Sequence, residues 1–271
     1  MSKDRQQRAA RAEQMRKERE KAAKRQRNLI TAAIVVIVVV LVGLAAYGIH
    51  SMNKKNQPQE WSVAYTVEDA GGEATVGYEP VVVEIYEDFQ CPMCAQLETA
   101  YGADLKQMVA SGDITIEYHP FSFLDDMGGS PNDYSKRATN AAICVYEEHG
   151  AQAYVDFHDY LFTTQPTEGE PGPENDALAE AAESMGFTGV EDCVKDEKYF
   201  QRIRRAKDAG SERGVSGTPT TYIDGEQFEA TEGGPTLIAA IQAAVAERKG
   251  EPAPETSAPA TSAPTATTPA S

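Results

Sequence analysis

The sequence predicts an α/β domain with a helical insertion, preceded by one N-terminal transmembrane helix. Three observations predict it. Leu29 to Ile49 is a run of 21 residues without a charge, dominated by Ile, Val, Leu and Ala. An apolar, β-prone stretch from Val81 to Tyr86 leads through Cys91-Pro92-Met93-Cys94 into a helical run and then a period-two strand. Strands return only after a long helical block, on either side of an Asp224-Gly225 turn.

Residues 1–28 carry eleven Lys and Arg against four Asp and Glu with no repeating apolar face, and read as a solvated cytoplasmic tail. The uncharged run that follows, residues 29–49, spans about 30 Å as a helix, the thickness of a bilayer core. A cleaved signal peptide fits less well. The charged head is long, the apolar run exceeds the usual roughly 7–15 residues, and Ala45-Ala46-Tyr47 is a poor cleavage site. The Lys/Arg excess ahead of the run places the N-terminus in the cytoplasm and the rest outside the cell membrane. Residues 50–73 are polar, with Pro58 and Gly71-Gly72, and read as an extracytoplasmic tether.

The domain is expected over residues 74–249, opening with a short strand around Ala74 to Tyr78. Val81 to Tyr86 is a strand and Ala95 to Val109 a helix. In Asp113 to Tyr118, Ile114, Ile116 and Tyr118 alternate with Thr115 and Glu117, the pattern of a half-buried strand. Strand, helix, strand in that order implies a parallel pair. Helices fill about 130–214. Ser130-Pro131 opens the first, with Tyr134, Ala138, Ala141, Ala142 and Val145 on one face. Tyr154, Phe157, His158 and Leu161 mark a second. A Pro/Gly-rich break from Gln165 to Pro173 precedes a third over Asp176 to Met185, and shorter pieces follow at Val190 to Val194 and Tyr199 to Ala209. A hairpin of Thr220 to Ile223 and Gln227 to Glu229 and an amphipathic helix from Pro235 to Lys249 close the domain. Residues 250–271 contain little but Glu, Pro, Ala, Thr and Ser, cannot bury a core, and read as a disordered tail.

The net charge of −17 hides an asymmetry, because the first 28 residues are basic. An acidic body repels phosphate backbones, which excludes nucleic acid as a partner. Four cysteines allow three pairings if all are oxidised, and outside the membrane an even count favours two bridges.

Cys91 and Cys94 stand where a strand ends and a helix begins. Unpaired backbone N–H groups and the helix dipole favour negative charge there, which lowers a thiol pKa. Pro92 suits the first helical turn, where its missing N–H costs nothing. Cys94 lies one turn inside, close enough to form a small disulfide with Cys91. The chemistry this arrangement allows is thiol–disulfide exchange. A purely structural bridge is the bland alternative. A zinc site built from all four cysteines is another, but such sites bring cysteines in close pairs, whereas Cys144 and Cys193 stand 49 positions apart. No metal site is expected: His119, His149 and His158 show no ligand spacing with one another and read as surface or strand-end residues.

The order of elements, the stretch Glu87-Asp88-Phe89-Gln90-Cys91-Pro92-Met93-Cys94 and the turn Gly217-Thr218-Pro219-Thr220 together resemble the thioredoxin fold with a helical insertion. More narrowly, they resemble the DsbA-like thiol–disulfide oxidoreductases, particularly the membrane-tethered Gram-positive type, over roughly Tyr78 to Lys249. The resemblance implies that Cys91 is the exposed nucleophile, Cys94 the buried resolving thiol and Pro219 a cis-proline packed against them. Thr218 would offer its backbone to an extended substrate beside Pro92 and Met93. It implies no cofactor in the domain, reduced exported proteins as substrates, and a quinone-linked membrane partner of the DsbB or VKOR type for reoxidation. Two positions depart from the pattern. Met93 replaces the His, Tyr or Gly usual there, which removes a partner for the thiolate and implies a milder oxidant. The buried acid six residues before the nucleophile is replaced by Ile85, with Glu84 and Glu87 as neighbours. With Cys91 and Cys94 as the redox pair, Cys144 and Cys193 are expected to bridge the helical block, the alternative being two unrelated buried thiols. Two other functions compete: a reductase or isomerase on the same fold, and a copper-handling module using the two cysteines as soft ligands. The latter would bring Met and His clusters that Cys91 lacks.

Overall fold

The computed structural model describes residues 59–73, 77–231, 234 and 236–252. The basic tail, the apolar run at 29–49, the first part of the tether at 50–58 and residues 253–271 lie outside them. Among the described residues no helix is long and apolar enough to cross a membrane.

One sheet organises the domain. Its strands are β1 (Val63–Tyr65), β2 (Val81–Glu87), β3 (Ile114–Pro120), β4 (Thr220–Ile223) and β5 (Glu226–Phe228), in spatial order β1-β3-β2-β4-β5. β2 runs parallel to β3, and the other neighbours pair antiparallel. β2 sits at the centre, as its near-continuous apolar run requires. The hairpin turn holds Asp224 at φ 48° and Gly225 at φ 84°, the left-handed pair that matches strand twist.

The edge strand differs from the expectation. Gly77 and Tyr78 form a bend, and Ala74 lies outside the described residues. β1 instead comes from the segment read as tether. Val63 and Tyr65 are buried against β3 while Ala64 faces out. Three alternating residues are too few for a periodic signal.

Seven helices are described: α1 (Pro92–Ala110), α2 (Leu124–Met127), α3 (Tyr134–Thr163), α4 (Asn175–Ser184), α5 (Glu191–Lys195), α6 (Phe200–Glu212) and α7 (Leu237–Lys249). The two helices expected after Ser130 run on as α3, broken at Gly150, whose φ of 85° and ψ of −174° only glycine adopts freely. A disulfide joins Cys144 on α3 to Cys193 on α5.

Strand alternation sorts the sheet into two faces. Val81, Val83, Ile85, Ile114, Ile116 and Tyr118 enter the main core with Cys94, Leu105, Val109 and Ile241. Tyr86 turns to the other face, into a smaller cluster with Phe121, Val215 and Tyr222. Helix α6 closes on this cluster at Gly210, where a Cβ would meet the Phe121 and Tyr86 rings at 3.0 and 3.1 Å. His119 and His158 are buried, at 6% and 0% exposed. His119 does stand at the end of β3, while His158 lies inside α3, which corrects its reading as a surface or strand-end residue. Each stacks among aromatic rings that the sequence spreads over distant elements.

Candidate active site

β2 ends at Glu87, and the chain then turns sharply so that Cys91 caps helix α1 with extended φ/ψ of −76° and 119°. Pro92 is the first helical residue, and the Cys94 N–H donates to the Cys91 carbonyl at 3.1 Å. The turn is held from several sides. Asp88 Oδ1 accepts from the Gln90 N–H at 2.8 Å and from Ser135 Oγ at 2.6 Å, and Oδ2 from the Leu124 N–H at 3.1 Å. Burial pushes Asp88 up to about 7 against the pull of these donors. Gln90 Nε2 donates to the carbonyls of Thr167 and Glu170, and Gln165 Nε2 to those of Phe89 and Cys91. The helical insertion and the loop after α3 thus clamp the backbone of the redox turn. Phe89, fully buried, packs on Phe162 and His158.

The peptide bond between Thr218 and Pro219 is cis, and it brings the Thr218 carbonyl 3.3 Å from Cys91 Sγ, from which it accepts. The thiols are both free. Cys91 is 6% exposed and Cys94 1%, so Cys91 is less open than expected of an exposed nucleophile. The Thr218 segment covers it. Pro92 and Met93 are exposed beside it, Met93 at 55%.

The two thiols are electrostatically unequal. Cys91 is lowered to about 6, first by the Cys94 thiol beside it, then by Thr218 and the N–H groups of Cys94 and Met93, against the effect of burial. Burial lifts Cys94 well above the ordinary thiol range, and the neighbouring Cys91 and Glu87 add to it. At neutral pH Cys91 is therefore the thiolate and Cys94 keeps its proton.

Beneath them lies a buried ionic cluster. His158 Nε2 and Glu87 Oε1 stand 2.7 Å apart with both side chains essentially inaccessible. Burial lowers His158, but Glu87, followed by Asp159 and Glu98, outweighs it and holds the imidazole at about 10. Burial raises Glu98 to about 7, with Glu87 adding to it. Glu87 thus brings a buried carboxylate under the redox pair, although it stands four residues before Cys91 rather than six.

Of the residues read from sequence, Cys91, Cys94, Thr218 and Pro219 meet in space, and Met93 and Pro219 line one cleft. Cys144 and Cys193 lie apart in the insertion. The sequence reading missed Asp88, Ser135, Gln90 and Gln165 as supports and Glu87 with His158 as a pair. Polar residues packed between an apolar strand and the cysteines were the one visible signal.

The fold and the paired, unequal thiols beside a cis-proline define a dithiol–disulfide exchange protein of the thioredoxin class. The thioredoxin family model matches residues 71–243, and the chain belongs to that family, as a DsbA-like thiol–disulfide oxidoreductase. Among solved structures, the reduced disulfide bond oxidoreductase DsbG of Mycobacterium tuberculosis is 29% identical with a TM-score of 0.59, over 74% of this chain and 93% of that one. Oxidised DsbA of the same species is also 29% identical, with a TM-score of 0.58, over 70% of this chain and 94% of that one. The serine/threonine-protein kinase PknE of M. tuberculosis is 33% identical over 121 residues, which cover 43% of this chain and 21% of the kinase. The chain thus spans about a fifth of the length of that curated relative.

Proposed function

We propose that the chain is a membrane-anchored, extracytoplasmic oxidoreductase that introduces disulfides into exported proteins. The observation that carries the reading is the thiol asymmetry at Cys91 and Cys94. In the oxidised protein a substrate thiolate attacks Sγ of Cys91, the less deeply buried residue of the pair. The Cys91–Cys94 bond breaks, and Cys94, whose pKa is high, takes up a proton. A second substrate thiolate then attacks the substrate sulfur of the mixed disulfide. It expels Cys91 as a stabilised thiolate, leaving an oxidised substrate and a reduced enzyme. A low pKa makes Cys91 a good leaving group and stabilises the reduced form, which is what gives oxidising power.

A cleft of about 540 Å³ opens beside the sulfurs, with Met93, Leu97, Tyr101, Pro219, Phe228 and Leu237 in its wall. We assign the substrate's extended segment to it. Leu29 to Ile49 supplies the anchor, with the N-terminus cytoplasmic. A quinone-linked membrane oxidase of the DsbB or VKOR type returns the pair to the disulfide.

Equilibration with defined glutathione buffers tests the direction of electron flow. A potential toward about −120 mV supports the oxidase, and one near about −270 mV overturns it in favour of a reductase. Failure of the purified chain to oxidise a reduced test protein would remove the reading altogether.

A further inference from the structure

Glu84 on β2 and Glu117 and His119 on β3 converge on the sheet face away from Val83, Ile85, Ile116 and Tyr118. Register sets Glu84 opposite Glu117 and Tyr86 opposite His119, and alternation turns all four side chains the same way. His119 Nε2 lies 3.5 Å from Glu84 Oε2 and 3.5 Å from Glu117 Oε2. It nonetheless makes no hydrogen bond, and the residue is 6% exposed. Leaving such a nitrogen unpartnered costs about 1–3 kcal/mol.

The spacing suits something other than a hydrogen bond. Two donors each about 2.1 Å from one tetrahedral ion stand about 3.4 Å apart, which is how far His119 stands from each carboxylate. The three donor atoms lie within 4.8 Å of one another. Glu117, with 35% of its side chain exposed, has room to close the remaining gap and opens the point to solvent.

The surroundings are those of an oriented ligand set. The Tyr86 ring stacks on the imidazole, centroids 4.3 Å apart and planes 15° off parallel. Arg213 forks onto Glu84, Nη2 donating to Oε1 at 2.8 Å and Nη1 to Oε2, while Nη1 also donates to the Tyr86 hydroxyl at 3.0 Å. Ser62 Oγ donates to Glu117 Oε2 at 3.5 Å. Outer bonds of this kind orient ligating carboxylates. Glu60 also lends negative charge to Glu117 and Tyr86, while Arg213 pairs with Glu84, so carboxylates outnumber the guanidinium around this spot and the local field attracts a cation.

We propose that Glu84, Glu117 and His119 bind one first-row divalent cation, zinc in preference to calcium or magnesium, with water in the fourth position. An imidazole nitrogen suits zinc, whereas the harder cations take oxygen ligands. The ion would pin β2 to β3. The sequence shows no such site because its ligands come from two strands 33 residues apart in the chain, and only pairing brings them together. The second cluster of this composition, Glu87, Glu98 and His158, is different. There His158 Nε2 is already engaged by Glu87 at 2.7 Å, so the ring has no free nitrogen facing the carboxylates.

The test uses the full chain in detergent with Cys91 and Cys94 oxidised, so that no thiol competes for metal. Chelator-treated protein is dialysed against zinc chloride, with and without excess calcium chloride, and bound zinc is measured by elemental analysis. About one zinc per chain is expected, undisturbed by calcium. His119→Gln and Glu117→Gln should weaken binding by about tenfold or more, and Glu98→Gln should leave it intact. Glu117 is partly exposed, so Glu117→Gln decides the matter if His119→Gln does not fold, with near-UV circular dichroism reporting folding. Cobalt gives a second readout in visible ligand-field bands that Glu117→Gln should abolish. Substoichiometric zinc in the parent chain, or zinc and cobalt signals unchanged by Glu117→Gln, would overturn the proposal.

Discussion

At the scale of single residues, two side chains bear most directly on the redox pair. Met93 stands between the sulfurs without a charge or a strong donor, and the Cys91 thiolate depends chiefly on Cys94, Thr218 and backbone N–H groups. Met93→His would add a cationic neighbour to the thiolate and stabilise the reduced form. Its reduction potential should rise in glutathione buffers, and an unchanged value would refute this account of position 93. Glu87 is the other. Glu87→Gln removes the charge that holds buried His158 protonated, leaving one member of the pair without its partner. A loss of about 3–5 kcal/mol is expected in urea unfolding. The charge that helps keep Cys94 protonated disappears with it, so the Cys94 pKa should fall, as thiol alkylation against pH would record. A variant with parental stability and an unmoved Cys94 would show that the pair matters to neither.

At the scale of elements, the helical insertion does more than lengthen the chain. Asp88 reaches from the redox turn to Ser135 on α3 and to Leu124 at the start of α2, and Gln165 reaches back from the end of α3. The Cys144–Cys193 bridge closes α5 onto α3 within that insertion. Chain entropy for a loop with 49 positions between its ends puts its contribution at up to roughly 4 kcal/mol. Replacing both cysteines by alanine should lower the unfolding midpoint accordingly while leaving the potential of Cys91 and Cys94 unmoved. A shifted potential would mean that the bridge acts on the site. Much at this scale was legible in sequence. The apolar run of β2, the alternation in β3, the Asp224-Gly225 turn and the proline at the start of α1 are local signals, each set by a few adjacent residues. β1 was not legible, because Val63-Ala64-Tyr65 gains its identity from β3 alone. The two helices expected after Ser130 were legible, and the non-helical φ and ψ of Gly150 mark where one gives way to the other.

At the scale of the whole domain, buried ionisable groups tie stability to pH. His158 titrates at about 10 when folded against 6.5 as a free side chain. Its contribution is therefore complete below about pH 6.5 and is lost as pH rises toward 10. The carboxylates Asp88 and Glu98, each raised to about 7, complete the corresponding loss by neutral pH. With both disulfides oxidised, unfolding free energy should fall by a few kcal/mol between pH 7 and 10. The paired change Glu87→Gln with His158→Asn should flatten that fall. A flat profile in the parent domain would contradict the charge state assigned to the pair.

By itself the sequence determined the candidate redox pair Cys91 and Cys94, the class of fold and the place of the Thr218-Pro219 turn. Each is written in neighbouring residues whose chemistry needs no distant contact to be recognised. Tertiary structure alone decided how far Cys91 is covered, which polar residues hold the redox turn, that Glu87 meets His158, and that Glu84, Glu117 and His119 share one spot on the sheet. These depend on strand register and on helices returning from far along the chain. Burial then makes each polar group's partner matter, because in a dry interior an imidazole or carboxylate must be paired, neutral or bound.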